Sequence, residues 1–142
     1  MALQTAVLAD LLEGEAAVAR TSLGDRIHRL EVLSPNVVVE IDDGSALWRL
    51  QLDGTYYDEE PFRVAAVGSD DQLLTYEGWP HWLRYEGVPQ HPVMHRPWAC
   101  LRGTYEYHTF PGHTAGDDAW AVSRSDLRLP ELLDHICQRA GR

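Results

Sequence analysis

The chain has 142 residues, 44% of them hydrophobic and 24% charged, with 12 Lys and Arg against 22 Asp and Glu for a formal charge of −10. That balance describes one soluble globular domain, 1–142, able to bury roughly two-thirds of its unfolded surface. It excludes nucleic acid as the expected partner, because phosphate contact needs a basic footprint, and it favours a basic protein surface.

The N-terminal stretch "MALQTAVLADLLEGE" has no positive charge ahead of its apolar run and meets acids early, so no signal peptide is expected. No run approaches the ~20 apolar residues of a membrane span. The only cysteines, Cys100 and Cys137, are too few for a secreted disulfide framework and predict a reducing, cytoplasmic setting.

Residues 2–20 read as a helix, with Leu3, Val7, Leu8, Leu11 and Leu12 at three- and four-residue spacing and Gly14 weakening the middle. "GDRIHRLEVL" is ambiguous between helix and strand. "NVVVEIDD", "ALWRLQLDG" and "PFRVAAVG" read as strands, parted by turn chemistry at Asp43-Gly44 and Asp53-Gly54. They form an antiparallel meander with one buried face. Residues 72–99 hold prolines and tryptophans without a sustained period and predict a long packed loop, a length that often marks function. The tail ends in a helix capped by Asp126 or Ser125, with Pro130 in its first turn and Leu132, Leu133, Ile136 and Cys137 on its apolar face. The order is that of an α+β domain.

The densest chemistry lies in "CLRGTYEYHTFPGH", residues 100–113. Cys100, Glu106, His108 and His113 are all residue types that zinc accepts in a tetrahedron. A strand over 104–108 would point Glu106 and His108 to the same face. Turns at Gly103 and at "FPGH" would return Cys100 and His113 to that spot. The plain alternative is a hairpin with scattered polar side chains. His91 and His95 are four apart, but Pro92 argues against the helix that would align them, so they read as loop packing or hydrogen-bonding groups. Cys137 reads as a small core residue, and the tryptophans as core and loop anchors. No phosphate-binding glycine loop and no Gly-x-Ser-x-Gly elbow is present.

Cys100, Glu106, His108 and His113 resemble the four residues that name the CEHH predicted metal-binding family, a bacterial group associated with ubiquitin-like modification systems. The likeness covers roughly 95–140. The order of elements is also similar to a ubiquitin-conjugating enzyme (the UBC-like fold). Such an enzyme has an N-terminal helix, a four-stranded meander, a long flap with a His-Pro-Asn motif, a cysteine soon after it, then a tryptophan and a helix. "HPVMHRPWACL" resembles the flap, with His91-Pro92 ahead of Cys100 and Val93 in the place of the asparagine. Trp120 and "LPELLDHI" follow in order.

These resemblances imply a UBC-like domain that binds Zn2+ through Cys100, Glu106, His108 and His113. Its implied partners are a ubiquitin-like protein and its activating enzyme. They leave two roles for Cys100, since a thiolate closed into a four-ligand zinc site is a poor acyl carrier. Either it is a ligand, and any acyl transfer needs another nucleophile such as Ser123 or Ser125, or it is the thioester nucleophile itself. Two further readings stand beside these: a non-catalytic interaction domain with an architectural zinc, and a metal hydrolase with Glu106 as base.

Overall fold

The computed structural model describes residues 2–142. The first helix, α1, spans Thr5–Leu23 and buries Leu8, Leu12, Ala16, Ala19 and Leu23, a three- and four-residue stripe along one side. Gly14 does not break it. It stops at Gly24, whose φ of 56° suits a residue without a Cβ and whose N–H returns to the Arg20 carbonyl. The helix therefore runs three residues beyond the expected 2–20.

Four antiparallel strands follow in the order β1-β2-β3-β4: β1 Arg29–Leu33, β2 Asn36–Asp42, β3 Leu47–Asp53 and β4 Arg63–Val67. The ambiguous segment is thus a strand. Register places Val37 opposite Leu52 and Val39 opposite Leu50, while Val64 and Ala66 continue the same rows on β4. All six are buried, and α1 and the last helix pack over this core. At the β2–β3 turn the Asp43 carboxylate accepts from the Ser45 and Ala46 amides and from the indoles of Trp48 and Trp82. These bonds hold its pKa well below the usual carboxylate range, the Ser45 amide contributing most.

Residues 68–104 hold a single 3-10 turn, Tyr76–Gly78, and no named strand or α-helix. They are nonetheless packed: Trp79, Leu83, His91 and Trp98 are buried. The Trp79 and Trp98 indoles donate to the carbonyls of Leu74 and Val88, as expected of loop anchors. Three short helices close the chain: α2 Tyr105–Thr109, α3 Trp120–Ser123 and α4 Leu129–Arg139. Helix α4 buries Leu132, Leu133, Ile136 and Cys137. Neither Asp126 nor Ser125 caps it. Glu131 reaches back from its first turn to the Arg128 amide at 3.1 Å.

The segment 104–108 is not the strand that a metal-binding hairpin would need. Thr104 caps a single helical turn by accepting from the Tyr107 amide, and Gly103, at φ 101°, supplies the bend before it. Among the described residues no helix is long and apolar enough to cross a membrane.

Candidate functional site

Residues two apart on a helix point to nearly opposite sides, so the turn at Tyr105–Thr109 separates Glu106 from His108. Glu106 faces the sheet. Its carboxylate accepts from the Val64 amide at 3.1 Å and pairs with Arg96 Nη2 at 2.9 Å, with only 1% of the side chain exposed. Burial pushes the Glu106 carboxyl pKa up, against the opposing pull of Arg96.

These contacts complete an edge. Strand β4 is outermost in the sheet, and its polar groups would otherwise be bare. The Phe62 carbonyl accepts from Tyr105 N, Val64 N–H meets Glu106, and the Ala66 carbonyl accepts from Leu74 N. The loop and α2 therefore seal the edge on either side of Glu106.

His108 points the other way and is also buried. Its Nδ1 lies 2.6 Å from the Asp118 carbonyl oxygen, which can only accept, so the ring proton sits on Nδ1. Its Nε2 then accepts from the Gly103 amide at 3.1 Å. His91 is fully buried with the opposite tautomer. Nδ1 accepts from the Val93 and Met94 amides at 3.0 and 3.1 Å, and Nε2–H donates to the Glu106 carbonyl at 2.7 Å. The imidazole packs edge-on against Trp98, which stacks on Phe110. His91 is thus the hydrogen-bonding loop residue that its sequence context predicts, and it ties residues 91–94 to α2.

Burial lowers the pKa of both imidazoles from the usual 6.5. The stability that each neutral ring contributes is fully present above pH 6.5 and is lost as pH falls through its depressed folded value. A titration of the imidazole carbon resonances should therefore give midpoints below 6.5 for His91 and His108. A midpoint at or above 6.5 for either ring would contradict the assigned tautomers.

His113 hydrogen-bonds through Nδ1 to Asp118 Oδ2 at 3.1 Å and stacks on Tyr107 with ring centroids 4.1 Å apart. Tyr107 also donates its hydroxyl to Asp118 and meets His108 edge-on. Cys100 is a free, part-exposed thiol. It lies within electrostatic reach of Tyr107, because a thiolate there opposes ionisation of the phenol. Burial raises the Cys100 pKa, and the charge of Arg139 opposes that rise.

Of the four predicted residues, His108 and His113 thus pack against Tyr107, while Glu106 stands apart on the sheet side. For zinc, His108 would have to surrender the Nε2 lone pair it gives to Gly103, and Glu106 would have to leave Arg96. Among the described residues, no group of three or more His, Cys, Asp or Glu side chains is arranged to hold a metal ion. In this arrangement the four do not fit a closed zinc site.

No family model matches the chain, and no curated protein is similar to it.

The two serines also have settled contacts or exposure. Ser123 is buried, with Oγ accepting from Arg102 and donating to the Asp117 carbonyl, whereas Ser125 is exposed. Three residues with roles here carried no signal in the sequence: Arg96, Asp118 and Arg139. Asp118 meets His108 through its backbone carbonyl, a contact that no spacing rule betrays.

Proposed function

We propose that this chain is a ubiquitin-conjugating-enzyme-like component of a ubiquitin-like protein pathway. It takes the ubiquitin-like protein from its activating enzyme, with Cys100 as the acyl-accepting thiol. The observation that supports this most is the division of labour around "CLRGTYEYHTFPGH". Glu106 and His108 are committed to holding backbone and Arg96, whereas Cys100 is left as a free thiol at the part-exposed end of the long loop. The order of helix, four-stranded meander, long loop with His91-Pro92, cysteine and closing helix agrees with that reading.

The exchange is a transthioesterification. The Cys100 thiolate attacks the thioester carbonyl carbon, a tetrahedral oxyanion forms, and its collapse expels the donor's thiolate. The Cys100 proton is lost to solvent, and the departing thiolate takes one up. Cys100→Ser, loaded under the same conditions, should lose the thiol-labile adduct, with at most an ester that thiols do not cleave.

A second reading keeps the zinc, at the cost of the His108–Gly103 and Glu106–Arg96 bonds. It makes the chain a non-catalytic interaction domain with an architectural zinc. Elemental analysis separates the two. The proposed reading expects no stoichiometric zinc in the purified protein and a Cys100 open to alkylation. One tightly held zinc per chain, whose removal by chelator exposes Cys100, would establish the second reading instead.

A further inference from the structure

We propose that the groove between α1 and α4 docks a basic amphipathic helix of another protein, which seats its apolar face on Val7, Leu11, Gly14 and Val18. The proposal does not depend on any role of Cys100. Helix α1 carries two apolar stripes. Leu8, Leu12, Ala19 and Leu23 face the core, and Val7, Leu11, Gly14 and Val18 run beside them at spacings of four, three and four. That spacing is the seam of a helix that packs against another helix. Val7 and Val18 are more than half exposed, and Leu11 is only partly buried. Single exposed apolar residues are ordinary on a soluble domain, whereas a helical stripe bordering a groove is not. The groove has a volume of about 460 Å³, with Leu11, Gly14 and Val18 on one wall and Pro130 of α4 on the other.

Gly14 is an independent sign of an occupant. In mid-helix a glycine is less favourable than an alanine. The fold itself does not require one here, since a Cβ at position 14 would meet no atom within 4 Å and the backbone is ordinary helix. What the glycine supplies is a low floor that an incoming side chain or backbone can approach closely.

The charges around the groove select the partner. Asp10 lies on its rim and Glu13 on the exposed side of α1, and among the described residues neither has a hydrogen bond or ion pair. Glu131, on the α4 wall, spends Oε1 on the Arg128 amide and pairs with no cation among the described residues. The cation in the lining, Arg128, is held by Glu15 and Asp58. A partner with Lys or Arg on either side of its apolar face meets these acids. A second copy of this chain would set Asp10, Glu13 and Glu131 against their own counterparts, and an anionic lipid surface would be repelled as well.

The probe is a synthetic helical peptide of about 18 residues, with Leu at heptad positions a and d and Lys beside them. It is titrated into the isotopically labelled full chain, where amide shifts report both the site and the Kd. One control peptide has the same composition in scrambled order, and a second has Glu in place of every Lys. The Lys peptide should shift the amides of residues 7–18 and of Glu131, and should bind about tenfold more weakly at molar than at low salt. Neither control should bind there. Gly14→Ala should raise the urea midpoint of the free chain yet weaken the Lys peptide by roughly tenfold. A glycine with only a structural role would not give these opposite signs. Asp10→Lys combined with Glu13→Lys should exchange the preference, so that the Glu peptide binds and the Lys peptide does not.

Absence of shifts along residues 7–18, equal binding of the scrambled peptide, or a Gly14→Ala chain that binds as well as wild type overturns the proposal. So does a sedimenting dimer that Val18→Asp dissociates, which would give the stripe to a second copy.

Discussion

Glu106→Ala should lose about 3–5 kcal/mol of folding stability in a urea titration, the range found when one partner of a buried ion pair is removed. Two groups are left in want. Arg96, whose side chain is 23% exposed, loses its counter-charge at 2.9 Å, and its Nε already has no hydrogen-bond partner among the described residues. Val64 N–H, on the outer edge of β4, loses the carboxylate that stands where a fifth strand would pair. An unsatisfied buried donor alone costs about 1–3 kcal/mol. Glu106→Gln should cost less, because an amide oxygen still accepts from Val64 while the charge on Arg96 goes unanswered. Losses below about 1 kcal/mol for Glu106→Ala would mean that water reaches the β4 edge and that α2 does not seal it.

A similar loss, about 3–5 kcal/mol, is expected of Glu15→Ala on α1. Glu15 sits on α1 with its carboxylate between three donors. The Tyr57 hydroxyl lies at 2.7 Å, the Leu129 amide at 3.0 Å, and the Arg128 guanidinium pairs with the second oxygen. Arg128 in turn holds Asp58 at 2.6 Å, and Asp58 holds Arg124 at 3.0 Å. The side chains of Glu15, Arg128 and Asp58 are each a quarter exposed or less, so solvent screens them only partly. Burial, with Glu15 adding to it, pushes the Tyr57 phenol far above its ordinary pKa, so it acts as a donor at any working pH.

The whole group ties the middle of α1 to the first turn of α4. A double-mutant cycle checks that it acts as a unit. Glu15→Leu with Arg128→Met should cost clearly less than the two single changes added together, because the pair vanishes without leaving a lone charge. Simple additivity would show that the contacts are independent.

The sequence revealed those parts whose cause is local. Helix α1 was legible because Leu8 and Leu12 repeat at helical spacing, although its end was set by Gly24 and not weakened by Gly14. Strands β2, β3 and β4 were legible because alternation and Asp-Gly turns mark them. Strand β1 was not, since Ile27, Leu30 and Leu33 fit a helix as well, and only pairing with β2 decides.

A strand over residues 104–108 would have put both acid and imidazole on one side. A threonine cap and a glycine bend wound it into one helical turn, and that single change sent Glu106 and His108 to opposite sides. The candidate site was therefore legible in its residue types but not in its arrangement. His91 could be named as a hydrogen-bonding loop residue, yet the groups that organise its neighbours were out of reach. Arg96, Asp118 and Arg139 act across the fold, two of them through bonds to or from a backbone carbonyl.

On the proposed reading, Cys100 accepts the ubiquitin-like chain as a thioester. The most direct measurement is the intact mass of the protein after incubation with the activating enzyme, ATP and the ubiquitin-like protein. The expected result is one adduct of the mass of the ubiquitin-like chain less water, mapped to Cys100, removed by excess small thiol and absent from Cys100→Ala. An unmodified Cys100, with the activating enzyme shown in the same reaction to carry its own thioester, would contradict it.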